Sequence, residues 1–187
     1  AAGRVAGGQI ANIVLMGTGE PLANYDAVRT FVGIATDRHG MGFSGRKVTV
    51  STCGLVPGIG RMAEDGVDAS LAVSLNATTD EVRSALMPVN RRWPLADLLA
   101  ACRAFPMRQG RRITFEYVLL GGVNDSDADA ERLAQLVRGI PAKVNLIPYN
   151  RNPGLPHAPP AAGRAEAFRD VLVRRNVTAV VRRNRGT

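Results

Sequence analysis

The sequence is poor in cysteine, lysine, histidine and tryptophan, and each scarcity excludes something. Its two cysteines, Cys53 and Cys102, stand far apart and form no CxxC pair, so the chain carries no metal-binding or redox motif of its own. A reducing cytoplasm is the simplest setting for such a chain. Apolar runs are all too short to span a bilayer, and no basic segment followed by an apolar one opens the sequence. Neither a membrane partner nor secretion is therefore expected. The chain does not open on Met, and its small, glycine-rich start is expected to begin partway through a longer protein. Lys47 and Lys143 are the only lysines, and His39 and His157 fall outside every predicted strand end. That leaves no lysine and no His–acid pair for barrel chemistry on sugar phosphates.

What is present suits one folded domain. The chain has 187 residues, of which 45% are hydrophobic, enough for a real core and too many for disorder. Its net charge is +8, and the pI is near 10.7. Such a field favours anionic partners, above all nucleic acid. Arginines gather in the stretch 164–187, ending in Arg182, Arg183 and Arg185, and again at Arg91 and Arg92 beside Trp93. Either group suits phosphate contact, with Trp93 able to stack on a base. The ordinary alternative is a solvated basic face.

Apolar runs alternate with helical patterns, which predicts βα units around a parallel sheet. Strands are expected at about 10–16, 47–51, 69–75, 112–120, 143–147 and 177–181. Helices are expected at about 25–35, 57–65, from a Thr78/Glu81 capping box to Pro88, at 95–105, from Asp125 or Ser126 to 138, and at 164–175. Tyr25, Val28, Phe31, Val32 and Ala35 share one face of the first helix. Five βα units and a closing strand make either an open barrel or a doubly wound sheet, and both bind ligands at the C-terminal strand ends.

Those ends carry hydrogen-bonding groups and no nucleophile with a base. Strand one delivers Gly17-Thr18-Gly19-Glu20-Pro21, strand two Ser51-Thr52-Cys53-Gly54, and strand three Ser74-Leu75-Asn76. Asn145 lies within strand five and Asn150 just beyond it. The set suits an amino acid joined to a nucleoside: an acid for an ammonium, and amides and hydroxyls for carboxylate and ribose. Plainer readings stand beside these. Glu20 can be a first-turn acid on a helix dipole, Ser51 and Ser74 ordinary strand-end hydroxyls, and Cys53 an inert small residue. Glu116, in an apolar strand, is either a buried functional acid or the partner of an arginine. Asp125, Asp127 and Asp129 lack the Gly and Glu of a calcium loop, so helix capping accounts for them better.

The segments MGTGEPLANY, RKVTVSTCGLVPGI, AVSLNATTDEVRSALMPVNRRW, TFEYVLLGGVND, KVNLIPYN and VVRRNRG follow one another in order. Together they closely resemble the radical S-adenosylmethionine (SAM) methyltransferases that modify adenine C2 in 23S rRNA, the RlmN type. The resemblance covers nearly the whole chain. It implies an α/β fold, an open (β/α)6-type partial barrel truncated at both ends, spanning 1–187 as one domain. Within it, 1–9 is a linker remnant, 151–163 a proline-rich loop, and 164–187 a basic terminal helix and strand.

The same resemblance implies SAM as cofactor. Gly19 and Glu20 would meet its methionine amino end, with Ser51, with Ser74, Leu75 and Asn76, and with Asn150 as further contacts. The family often has His where this chain has Asn76. A [4Fe–4S] cluster is implied too, but its CxxxCxxC motif lies upstream of the GEP turn in the family, and the methyl-carrying cysteine follows the RRNRG-type segment. The chain is thus expected to hold neither cluster ligands nor catalytic residues, and to be inactive alone. The implied partners are 23S rRNA, also tRNA, and an electron donor, with the protein a monomer. The related Cfr type, which methylates adenine C8, shares the barrel motifs. A basic RNA-binding module without catalysis is the alternative of another class.

Overall fold

The computed structural model describes residues 10–152 and 154–182. Six strands form one sheet: β1 (Ile13–Leu15), β2 (Val48–Thr52), β3 (Ser70–Ser74), β4 (Ile113–Leu119), β5 (Ala142–Pro148) and β6 (Thr178–Val181). All neighbouring pairs are parallel, and the order across the sheet is the order in the chain. A doubly wound sheet requires the strand order to reverse at a switch point. None reverses here, so the chain forms a singly wound, open partial barrel. Six helices complete it: α1 (Tyr25–Thr36), α2 (Val56–Glu64), α3 (Asp80–Leu86), α4 (Leu95–Ala104), α5 (Asp127–Leu136) and α6 (Arg164–Arg174). Among the described residues, no helix is long and apolar enough to cross a membrane.

Side chains alternate across a strand, and register partners in a parallel pair share a face. One face therefore reads Val48 and Val50 on β2, Leu71 and Val73 on β3, Ile113, Phe115 and Tyr117 on β4, and Val144 and Leu146 on β5. All are buried and belong to the core that the helices cover. The other face carries Ser51 and Thr49, then Ser70 and Ser74, then Thr114 and Glu116, then Lys143 and Asn145. Helices pack on the apolar face and leave this polar one as the inner wall. Val14 on β1 and Val180 on β6 share it and are 51% and 49% exposed, so the wall is open along both edges.

Local chemistry corrects two expectations. Thr79, not Thr78, caps α3: its hydroxyl accepts from the Val82 N–H. Thr78 instead donates its hydroxyl to Asp129 Oδ1 at 2.8 Å, tying the start of α3 to α5. Ser126 caps α5 in a reciprocal box with Asp129. Of the three aspartates expected to cap this helix, only Asp129 does so. Asp129 serves the cap, Asp125 accepts from the Gly122 N–H, and Asp127 pairs with Arg164.

The GEPL turn meets the helix that follows the STCG turn at a glycine. A Cβ on Gly58 in α2 would lie 2.6 Å from the Leu22 Cβ and 3.1 Å from its Cδ1. Leu22 is buried there, which fixes the first strand end against the second. Gly58→Ala is expected to force the turn and the helix apart and cost about 1–3 kcal/mol, the usual range for overpacking. Urea unfolding reads this directly, and an unchanged midpoint would count against close packing at Leu22.

Candidate functional site

The ends of β1, β2 and β3 converge on Glu20. The acid follows Gly19, whose φ of +103° suits glycine, and precedes Pro21, which starts a short 3-10 turn, Pro21–Asn24. Its Oε1 accepts from the Leu22 N–H at 3.0 Å, and its Oε2 from the Cys53 N–H at 2.7 Å. Glu20 is thus both the cap of its own turn and a bridge to the end of β2. Each carboxylate oxygen retains a further acceptor site. Two adjoining clefts of about 360 and 240 Å³ meet along Met16, Gly17, Gly19, Glu20 and Pro21. Ser51, Thr52, Cys53 and Ser74 complete the second.

The structure brings Gly19, Glu20, Ser51 and Ser74 together. Leu75 and Asn76 adjoin them but are bonded into the framework. The Leu75 N–H donates to the Glu116 carbonyl, and the Leu75 carbonyl accepts from Arg83 and from the Ala77 N–H. Asn76 sits at φ +57°, a left-handed position that Asn tolerates. Its Oδ1 accepts from the Val118 N–H at 2.9 Å, and its carbonyl accepts from Asn124 Nδ2 at 2.7 Å. Asn150 is exposed just past β5 and lines neither cleft.

Three functional positions escaped the sequence reading. Arg83 is fully buried, with Nε donating to the Leu75 carbonyl, Nη1 to Asn90 Oδ1, and Nη2 to the carbonyls of Cys53 and Ser74. It clamps the ends of β2 and β3 from below. Asn90 passes this on, donating to Asp80 Oδ1 and Ser84 Oγ at 2.9 Å each. Asn124 closes the far side: its Oδ1 accepts from the Leu120 N–H, and its carbonyl from the Tyr117 hydroxyl. Each lies in a segment that carried the resemblance, yet nothing in its residue type announced a clamp.

Electrostatics keep the site's thiol inert. Burial, then the hydrogen bond and charge of Glu20, push Cys53 up to about 12. Burial alone does the same to Cys102, also to about 12. A thiol in that state is a poor nucleophile at neutral pH. Burial also raises Glu116, which accepts from Asn145 Nδ2 at 3.0 Å, while the charge of Arg182 acts on it in the opposite direction.

The basic candidates divide. Arg91 and Arg92 are exposed beside Asn90, with the Arg92 guanidinium 4.7 Å from the centre of the Trp93 ring. Arg182 is exposed at the end of β6, its N–H donating to the Leu146 carbonyl. Arg183 and Arg185 lie outside the described residues. A separate cavity of about 220 Å³ lies at the opposite end of the strands, between Ser70, Leu71, Met107 and Arg111, away from the site's polar groups.

SAM fits the residues present, since an acid, two serines and bare glycine backbone line one cleft. An iron–sulfur cluster does not. Among the described residues no three His, Cys, Asp or Glu side chains gather as metal ligands.

The family model described as the radical SAM superfamily matches residues 2–134. The chain is 65% identical over 178 residues to the dual-specificity RNA methyltransferase RlmN of Anaeromyxobacter dehalogenans strain 2CP-C, covering 95% of this chain and 48% of that protein. It is 56% identical to RlmN 2 of Myxococcus xanthus, again covering 95% of this chain and 47% of that protein. The chain thus spans about half the length of the curated relatives it matches. The crystal structure of a radical SAM methyltransferase from Sphaerobacter thermophilus superposes with a TM-score of 0.91 at 50% identity, over 99% of this chain and 54% of the other. A domain of a pyruvate-formate lyase-activating enzyme from Bacteroides vulgatus shares the fold alone, at TM-score 0.71 and 15% identity, over 93% of this chain and all of that one.

Two outcomes follow from the site. Arg83→Met removes the guanidinium donors from a cluster of buried acceptors and is expected to lower stability by about 3 kcal/mol or more, read as a lower urea midpoint. Separately, Cys53, Cys102 and Tyr25 all hold their protons in the fold, to about 12 in each case, beyond the ordinary 9.0 of a thiol and 10.0 of a phenol. The unfolded chain sheds those protons first, so these three groups leave stability unchanged below about pH 8 and lower it as pH rises through 9 towards 12. Urea midpoints that held constant to pH 11 would contradict this.

Proposed function

The chain belongs to the radical SAM superfamily, and from that premise we propose that it forms the SAM-binding partial barrel of an RNA adenine methyltransferase of the RlmN type. The substrate in this reading is adenine C2 in 23S rRNA, and in tRNA. One observation carries it: a carboxylate pinned by two backbone N–H groups at the junction of three strand ends, with acceptor capacity left over. A carboxylate so placed is already oriented for an ammonium group and loses little freedom on binding.

Glu20 receives the amino end of SAM, with the backbone of Gly19 allowing close approach. Ser51 and Ser74 supply hydroxyls to the carboxylate and ribose. Leu75 and Asn76 shape the wall next to Ser74, and Asn150 contributes from past β5. When bound, SAM supplies a transferable methyl group. Superfamily members also hold a [4Fe–4S] cluster; two cysteines, both kept as thiols, fall short of its ligands, and these belong to chain outside this one. Arg91, Arg92 and Arg182 face solvent and suit the phosphates of RNA, with Trp93 available for stacking. Two free cysteines suit a reducing cytoplasm.

Titration calorimetry with S-adenosylhomocysteine tests the site. The wild-type chain is expected to bind it, and Glu20→Gln to bind about tenfold more weakly, the scale of one charge-assisted hydrogen bond. A wild-type chain that bound RNA in a salt-dependent manner but not this ligand would favour the non-catalytic module instead. In the full-length enzyme, mass spectrometry of the product adenosine should show methylation at C2; a C8 product would point to the Cfr type.

A further inference from the structure

The cavity at the far end of the strands takes no part in the proposed site, and its chemistry is different. It opens where β3 and β4 begin, next to the C-terminal ends of α2 and α4. Met62, Val67, Leu71, Phe105 and Met107 wall it, and Arg108, Arg111 and Arg112 line it as well. Its volume is about 220 Å³; an apolar cavity of roughly 150 Å³ already takes up benzene. The charges around it do not balance. Arg108 Nη1 and Arg111 Nη2 both reach one carboxylate oxygen, Asp68 Oδ1, at 3.0 and 2.7 Å. Arg112 donates to the Thr178 hydroxyl instead. Three guanidiniums thus stand against one carboxylate. Arg111 matters most, because its side chain is only 13% exposed and it has donors to spare beyond the one on Asp68. A cation so far from water is poorly served by a share of one acid. The surrounding segments are held in place. Arg46 Nη2 donates to the Gln109 carbonyl at 3.2 Å, fastening the link between α4 and β4. A Cβ on Gly45 would lie 2.2 Å from Asp68 Oδ1, so Asp68 packs against bare backbone.

We infer that this cavity is a binding site for a small aromatic carboxylate, its ring among Met62, Phe105 and Met107 and its carboxylate on Arg108 and Arg111. The inference goes beyond the SAM reading and does not depend on it. An aromatic ring suits the walls, because thioether sulfurs and a phenyl ring both make favourable contacts with one. A carboxylate suits the arginines, because they already hold one, and a guanidinium can grip a carboxylate through two parallel bonds. A neutral aromatic would leave the excess positive charge unanswered. A bare inorganic anion would leave the apolar walls empty. Only a ligand with both parts uses everything that lines the cavity.

Phenylacetate is the probe, titrated into the full chain and followed through the methyl NMR signals of the methionines. Met62 and Met107 line this cavity and Met16 the strand-end clefts, so the shifts locate the ligand. Saturable shifts at Met62 and Met107, with Met16 unmoved, are expected. Acetate lacks the ring and phenylacetamide lacks the charge, and each is expected to bind at least about tenfold more weakly. Arg111→Met is expected to weaken phenylacetate about tenfold and to leave phenylacetamide nearly unchanged, a contrast that a general loosening of the fold would not give. Val67→Phe places a ring in the cavity and is expected to displace the probe, with a loss of tenfold or more. Arg108→Met, at a more exposed position, repeats the charge test if Arg111→Met does not fold, and urea midpoints show which variants are folded. Absence of saturable shifts at Met62 and Met107 overturns the inference, as do shifts confined to Met16. So does an affinity for phenylacetate that is the same in wild type, Arg108→Met and Val67→Phe, or that matches the affinity for phenylacetamide.

Discussion

A buried guanidinium holds the working end of this protein together. Parallel strands finish with carbonyls that have no further neighbour, and Arg83 supplies donors to three of them, on Cys53, Ser74 and Leu75. Among the described residues no carboxylate pairs with it; strand-end dipoles and Asp80, acting through Asn90, balance its charge. The Cys53 residue is the joint of the arrangement. Its N–H goes to Glu20 and its carbonyl to Arg83, so the acid that would receive a ligand and the cation beneath it grip one residue from opposite sides. Moving Arg83 would therefore move Glu20 without touching it. Preorganisation of the cleft is a property of this chain of bonds rather than of any single contact.

A second bracket, built from amides, stabilises the other side. Asn124 joins the Asn76 and Val118 carbonyls to the Leu120 N–H, and Asn76 returns a bond to the Val118 N–H. Between them the two brackets fix β2, β3 and β4 where each leaves the sheet. The residues with capacity left for a ligand stand between the brackets, on backbone that has little freedom to shift.

Much of this was legible in the sequence, and the illegible part has a physical reason. Alternation in KVTVS and ASLAVSL marked which side chains share a face, because a strand allows only two sides. The polar set Glu20, Ser51 and Ser74 could be placed at strand ends for the same reason. Strand order could not be read, since five βα units suit an open barrel and a doubly wound sheet equally; pairing across space decides it. The α3 cap was misplaced by one residue because Thr78 and Thr79 are chemically alike, and only a distant aspartate, Asp129, claims the first. Arg83 was invisible for a deeper reason. Its partners are backbone carbonyls, which every residue has, so the interaction leaves no complementary residue type to find.

The ordering of the sheet bears on how the molecule is made. Every strand pairs with the one synthesised just before it, β1 with β2 through to β5 with β6. No strand must wait for a partner encoded far downstream, so loop closures stay short for a parallel sheet. As the polypeptide leaves the ribosome, each new βα unit finds its docking edge already in place. The clamp obeys the same schedule: Arg83 follows the three strand-end carbonyls it binds, and the rim is set as soon as α3 emerges.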